Sequence, residues 1–234
     1  MGQRWIIPDI HGCAKTLKCL LENLLNVTKE DELFFLGDYI DRGPDSKGVL
    51  DYLMGLQQQG WNIHCLMGNH EDYCIKAYEA DMQRHLFKPD IQKQWENVGA
   101  KETFKSFGVK RPKEIPAHYI EWMRHLEYYH ELENYILVHA GMNFHCENPF
   151  ADTKSMIWVR NFKVDFRKTD GRRIIHGHLP EDYSFIDHVI KNQQNYDFIA
   201  LDNGVFNTKH TDMGNLMAFN PDTNELLAQS NMDL

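Results

Sequence analysis

Leu33-Phe34-Phe35-Leu36-Gly37-Asp38-Tyr39-Ile40-Asp41-Arg42-Gly43 is the stretch on which the fold turns. Four apolar residues in a row read as a strand covered on both faces. The glycine ends that strand, and a polar loop of two aspartates and an arginine begins. The same change occurs upstream, where Trp5-Ile6-Ile7 stops at Pro8 and opens into Asp9-Ile10-His11-Gly12. It occurs again downstream, where residues 63–66 run into Gly68-Asn69-His70-Glu71. Helical patterns separate these strands. Leu17, Leu20, Leu21, Leu24 and Leu25 form one apolar stripe. Asp45 or Ser46 can cap a second helix, which turns Val49, Leu50, Leu53 and Met54 to the core. A βαβαβ order predicts a parallel sheet with right-handed crossovers.

Further along, the pattern over 72–134 turns helical. Ile91, Trp95 and Val98 share one face, and so do Ile120, Met123 and Leu126. This predicts a helical insert, in which Tyr119, Trp122, Tyr128 and Tyr129 are helical core. A strand returns at 135–138. The last third predicts mainly strands, at 174–175, 184–190, 198–201 and 216–219, with a turn at Asn220-Pro221-Asp222-Thr223-Asn224 before a closing strand. With no repeat and no linker, 1–234 reads as a single α/β domain.

Composition narrows the function. The 234 residues carry 25 Lys+Arg against 34 Asp+Glu, a net charge of −9. A general nucleic-acid binder needs a basic footprint, so nucleic acid is excluded as a partner. No apolar run approaches the roughly 18 residues that span a bilayer, and the N-terminus shows no signal-peptide pattern. Gly2 does not suggest myristoylation, because Ile6 stands where that motif needs Ser or Thr. Five cysteines, odd in number and without a CxxC pair, read as reduced thiols of a cytoplasmic protein.

Five polar clusters each follow an apolar run: the three above, then His139-Ala140-Gly141 and His176-Gly177-His178. Loops at the carboxyl ends of strands line the ligand crevice of α/β sheets, which predicts that these clusters converge. Carboxylate, amide and imidazole donors together suit Mn²⁺, Fe or Zn²⁺ and not a thiolate zinc site.

The clusters resemble the phosphoprotein phosphatase branch of the calcineurin-like metallophosphoesterases, especially its small bacterial and phage serine/threonine phosphatases. Gly37-Asp-Tyr-Ile-Asp-Arg-Gly43 and Gly68-Asn-His-Glu71 match that family's motifs in full, in its order. Asp9-Ile-His-Gly12, His139-Ala-Gly141, Gly177-His178 and the tail Leu201-Asp202-Asn203-Gly204 are similar too, so the likeness runs almost end to end. It implies two β-sheets packed as a sandwich and flanked by helices, together with two divalent cations per chain, Mn²⁺ foremost. Asp9, His11 and Asp38 would hold the first cation. Asp38 would bridge to the second, completed by Asn69, His139 and His178. A hydroxide activated by the pair would attack phosphorus. His70, oriented by Asp41, would protonate the leaving oxygen. Arg42 and Arg160, the latter in a looser Trp158-Val-Arg160 match, would hold phosphate oxygens.

The implied substrate is a phosphorylated protein or a small phosphoester. A symmetrical bis(5′-nucleosyl)-tetraphosphatase shares the motifs and is the alternative. A catalytically inactive binding module is disfavoured, because every ligand position is filled. Two residues depart from the family pattern. Pro8 replaces a glycine, and Met67 stands where many members carry arginine. Cys13 reads as a packed residue at a helix start, and the basic cluster Arg167, Lys168, Arg172 and Arg173 as a solvated loop. Of the 13 histidines, His176 reads as a strand residue facing away from the site, and eight others, His64, His85 and His130 among them, fall in no motif.

Overall fold

In the computed structural model, residues 2–83 and 89–234 are described. His85 lies outside them. The predicted βαβαβ forms as β1 (Arg4–Ile7), α1 (Ala14–Cys19), β2 (Glu32–Phe35), α2 (Ser46–Gln58) and β3 (Asn62–Cys65). After α1 the chain continues through a π-helical turn, Leu20–Leu24. The Asp45 carboxylate caps α2 by accepting the Gly48 N–H at 2.9 Å. Four helices follow: α3 (Asn69–Met82), α4 (Asp90–Asn97), α5 (Ala100–Phe107) and α6 (Ala117–Arg124). Then come β4 (Tyr129–Glu131), β5 (Tyr135–Val138), α7 (Thr153–Trp158), β6 (Arg173–His176), α8 (Tyr183–Lys191), β7 (Phe198–Ala200), β8 (Asn215–Phe219) and β9 (Leu226–Ser230).

The strands form two sheets, ordered β3-β2-β1-β8-β9 and β4-β5-β6-β7. In the first, β1, β2 and β3 run parallel while β8 and β9 are antiparallel. In the second, β4 is antiparallel to β5, and β5, β6 and β7 are parallel. Alternation along each strand sorts the core into layers. Trp5, Ile7, Leu33, Phe35, Leu216 and Ala218 pack toward the helices. Ile6, Phe34, Leu137, Ile175, Met217 and Phe219 fill the space between the sheets. Ile136, Val138 and Ile174 face the outer side of the second sheet. Helices of the insert share the first of these layers, through Trp95, Phe104 and Ile120.

Three predicted elements are corrected. Residues 184–190 form helix α8 and not a strand, because Ile186, Val189 and Ile190 have helical spacing and are the residues that α8 buries. The last third is accordingly mixed, not mainly β. The insert begins at Asn69, and its predicted helical end holds a strand, so Tyr129 pairs with Val138 in β4. The helical periodicity of α8 has a direct consequence for stability. Ile186→Ala should cost about 2–5 kcal/mol and Val189→Ala somewhat less, whereas exposed His188→Ala should stay within about 0.5 kcal/mol. A strand would place Ile186 and Val189 on opposite faces, so urea unfolding of the three variants tests the assignment.

Candidate active site

The loops after the strands are tied to one another through the backbone. The N–H groups of Ile10 and His11 donate to the Asp38 carbonyl at 3.1 and 2.9 Å, and Gly12 N–H to that of Tyr39 at 2.8 Å. At Gly37, with φ +108°, a Cβ would come within 2.8 Å of the Gly68 backbone. A Cβ on Gly68 would meet the Asp38 carboxylate at 2.2 Å. Only glycine allows this approach. Buried Glu71 locks the arrangement. Its carboxylate accepts the N–H groups of Asp38 (3.0 Å), Tyr39 (2.8 Å), Ile40 (3.3 Å) and Gly68 (3.1 Å).

Asp9, His11, Asp38, Asn69, His139 and His178 converge at the carboxyl ends of β1, β2, β3, β5 and β6, all of them buried. The His178 N–H donates to both Asp9 oxygens at 3.1 Å, joining a loop of the second sheet to one of the first. His139 Nδ1 donates to the Leu36 carbonyl at 2.9 Å, and His11 Nδ1 to that of Ile40 at 2.9 Å. Each neutral ring therefore keeps its Nε2 lone pair for the site, the pattern seen in metal-ligating histidines. The His139 lone pair faces Asn69 Oδ1 at 3.0 Å and Asp38 Oδ1 at 3.5 Å. Acceptors facing acceptors with no proton between them repel unless a cation is shared. His178 Nδ1 lies 2.8 Å from the same Asn69 oxygen. On the other side, His11 Nε2 is 3.6 Å from Asp38 Oδ2 and 3.8 Å from Asp9 Oδ2. This donor set fits divalent cations of the oxygen- and imidazole-binding kind.

The electrostatics point the same way. Burial pushes the Asp9 carboxyl well up, and Asp202 and Asp38 push it further. Burial would also raise Asp38, but His139, His70 and His11 outweigh it and hold Asp38 below the usual carboxylate range. His178 is pushed down to about 3, chiefly by burial and next by His139, with Arg160 contributing.

Asp41 is the hub of a second cluster. Its Oδ2 accepts from His70 Nδ1 at 2.6 Å and from the Trp95 indole at 2.6 Å, while Oδ1 accepts the Thr103 hydroxyl at 2.5 Å. For His70, burial is the largest influence and lowers the pKa, but Asp38 and Asp41 together raise it overall. Arg42 reaches between the two groups, its guanidinium nitrogens 2.9 Å from His11 Nε2 and 3.2 Å from His70 Nε2. Its guanidinium lies 4.3 Å from the centre of the Phe206 ring. Arg160 is exposed. His176 turns away toward Phe162 and Phe198. Cys13 is buried, as expected. The basic cluster is not an open patch. Arg167 pairs with Asp165 and Arg172 with Glu131, while Lys168 donates to the carbonyls of Phe144 and Cys146 and Arg173 to that of Tyr196.

Sequence reasoning passed over four contributors: Glu71, Trp95, Thr103 and Asp202. The last had a readable signal, because Leu201-Asp202-Asn203-Gly204 is a polar cluster directly after a strand, like the other five. Asp202 is buried; Oδ1 accepts the Gly204 N–H at 2.7 Å, but Oδ2 has no partner among the described residues. Burial pushes it up to about 7. An unpaired carboxylate oxygen beside two other buried carboxylates is costly unless a cation answers it.

The sequence pattern of the calcineurin-like phosphoesterase family matches residues 3–205. A symmetrical bis(5′-nucleosyl)-tetraphosphatase of Pseudomonas putida is 30% identical over 142 residues, covering 59% of this chain and 42% of its own length. One from Cellvibrio japonicus is 30% identical over 142 residues, with 59% and 44% covered. The matched stretch thus spans less than half the length of these curated relatives. Among solved structures, a candidate diadenosine tetraphosphatase superposes with a TM-score of 0.64 at 19% identity, covering 97% of this chain and 92% of its own. A serine/threonine phosphatase from Saccharomyces cerevisiae superposes with a TM-score of 0.61 at 14% identity, covering 97% and 78%. At such identities the structural likeness is one of fold.

Asp202→Asn separates the cost of a buried charge from its use. In chelator-treated protein the substitution should leave thermal stability unchanged or raise it. In Mn²⁺ it should weaken cation binding by about 10–100-fold. Differential scanning fluorimetry and equilibrium dialysis read the two effects; wild-type Mn²⁺ affinity in the variant would remove Asp202 from the site.

Proposed function

The chain belongs to the calcineurin-like phosphoesterase family, and from that premise we propose that it is a metal-dependent phosphomonoester hydrolase acting on phosphoserine or phosphothreonine side chains. Asp9, His11 and Asp38 would hold one divalent cation, and Asp38, Asn69, His139 and His178 the other. The family resemblance points to Mn²⁺ first, and Fe and Zn²⁺ also suit this mixed donor set. Such a pair lowers the pKa of water and neutralises phosphoryl charge. Arg42 and, from the rim, Arg160 take the non-bridging phosphate oxygens and stabilise the charge that grows on them. His70 gives a proton from Nε2 to the leaving oxygen while its Nδ1–H stays on Asp41.

The observation that carries the substrate reading is the His70–Asp41 pair, reinforced by Trp95 and Thr103. A serine or threonine alkoxide is a poor leaving group and needs its proton delivered in the transition state. A nucleotide phosphate leaves readily without one. The second reading, symmetrical cleavage of dinucleoside tetraphosphates, is favoured by the names of the curated relatives. Residues 1–234 act in either case as one catalytic unit. Five free cysteines suit the reducing cytoplasm. Among the described residues, no helix is long and apolar enough to cross a membrane.

His70→Asn should lower turnover of alkyl phosphates by about 10²–10⁴-fold, and that of p-nitrophenyl phosphate far less. Equal losses on both would remove His70 as the acid. For the substrate, a phosphothreonine peptide and diadenosine tetraphosphate should be compared side by side with Mn²⁺. The peptide is expected to have the higher kcat/KM, and a clear preference for the dinucleotide would replace the first reading by the second.

A further inference from the structure

Two of the histidines that no motif explains meet where the two sheets touch at their edges. β3 is the edge of the five-stranded sheet and β4 the edge of the four-stranded one. The backbone stitches them at Glu127, which donates its N–H to the Cys65 carbonyl at 3.4 Å and accepts the Met67 N–H at 2.7 Å. His64 lies opposite Phe34 in the register of β2 and β3, and so points toward the second sheet. His130 on β4 comes from the other side. Both rings rest on Phe34, each with its centroid 4.9 Å away, and their own centroids are 4.4 Å apart.

One donor atom from each of His64, His130 and Glu127 lies within 4.8 Å of the others. Glu127 Oε2 is 3.8 Å from His130 Nδ1, and Glu32 Oε1 is 3.1 Å from His64 Nε2. Neither carboxylate has a lysine or arginine within ion-pair distance among the described residues; their ion-pair partners are these two histidines. We propose that His64, His130 and Glu127 form a divalent metal site of the Zn²⁺ class that clasps the two sheets, with Glu32 orienting the His64 ring.

Several features suit that chemistry. Two imidazoles and a carboxylate match the three-ligand zinc pattern, in which water takes the fourth position. The side chains of His64 and His130 are 27% and 26% exposed, so an ion can reach them from solvent without unfolding. Burial and then the neighbouring His64 hold His130 below the ordinary histidine value, which keeps its ring in the neutral, ligating form. Glu32 against His64 is the carboxylate–histidine contact that fixes a ligand ring. The two carboxylates together balance a dication.

Equilibrium dialysis against Zn²⁺ with metal analysis tests the site. Wild type should hold one equivalent more than the double variant H64Q/H130Q, and Zn²⁺ should raise its unfolding temperature more. Equal stoichiometry in both proteins overturns the proposal. The result is independent of the two-cation reading: if that reading fails and this site holds, wild type binds one equivalent and the variant none. Should the double variant not fold, Glu127→Gln carries the test, because that side chain is 61% exposed. It is expected to weaken the extra Zn²⁺ equivalent by about ten-fold or more, and unchanged binding would show a hydrogen-bonded cluster only.

Discussion

The site depends on a carboxylate whose hydrogen-bond partners are all backbone groups. Glu71, wholly buried, accepts four backbone N–H groups, three from the loop after β2 and one from the loop after β3. The loops of the site are held in conformations that ordinary residues resist. His11, Asp38, Asp41, Arg42 and His178 all have positive φ, between 45° and 72°. Each such residue is strained, and the strain persists only where surrounding contacts over-determine it. Glu71 fixes Asp38. The hydroxyls of Ser46 and Thr103 accept the Asp41 N–H, and Gly99 accepts that of Arg42. The His178 N–H is held by Asp9. Removing any one of these contacts would let a functional residue relax toward ordinary backbone geometry and turn its side chain away.

Much of this was legible because two independent signals coincide. An apolar run that gives way abruptly to a short polar cluster with a glycine in it marks both a strand end and a crevice loop, and five such places named the residues that converge. Elements failed where one signal stood alone. Residues 184–190 are apolar enough for a strand, and only the spacing of Ile186, Val189 and Ile190 tells a helix from it. β4 is three residues long and defined by pairing with Val138, Leu137 and Ile136, which local sequence does not encode.

The supporting residues were hidden for a different reason. Trp95 lies on the face shared with Ile91 and Val98, so its periodicity describes a core residue, and it is one. Its indole N–H still needs an acceptor once buried, and in this fold the acceptor is Asp41, 54 residues away. Thr103 has the same history, 62 residues from the same carboxylate. Glu71 sat inside a recognised motif without a role, because its partners are backbone groups and leave no mark in side-chain patterns. Sequence names the groups that face the ligand more readily than the groups that hold them.

The division of labour between the sheets adds a constraint of its own. Asp9, His11, Asp38 and Asn69 follow strands of the first sheet, while His139 and His178 follow strands of the second. The contacts that complete the donor set cross between them: Asn69 to His139 at 3.0 Å, Asn69 to His178 at 2.8 Å, and His178 to Asp9. Gly177 is packed so closely that a Cβ would meet the Asp9 carboxylate at 2.1 Å. The spacing of the sheets, set by Ile6, Phe34, Leu137, Ile175 and Phe219, is therefore also the spacing of the two ligand halves. Interiors are dense and transmit a change of even one methylene, so the inter-sheet core tunes the donor geometry from a distance. A cation held by both halves, as proposed, would pull on that same core in return. Binding at such a site and packing between the sheets would then be, physically, one equilibrium.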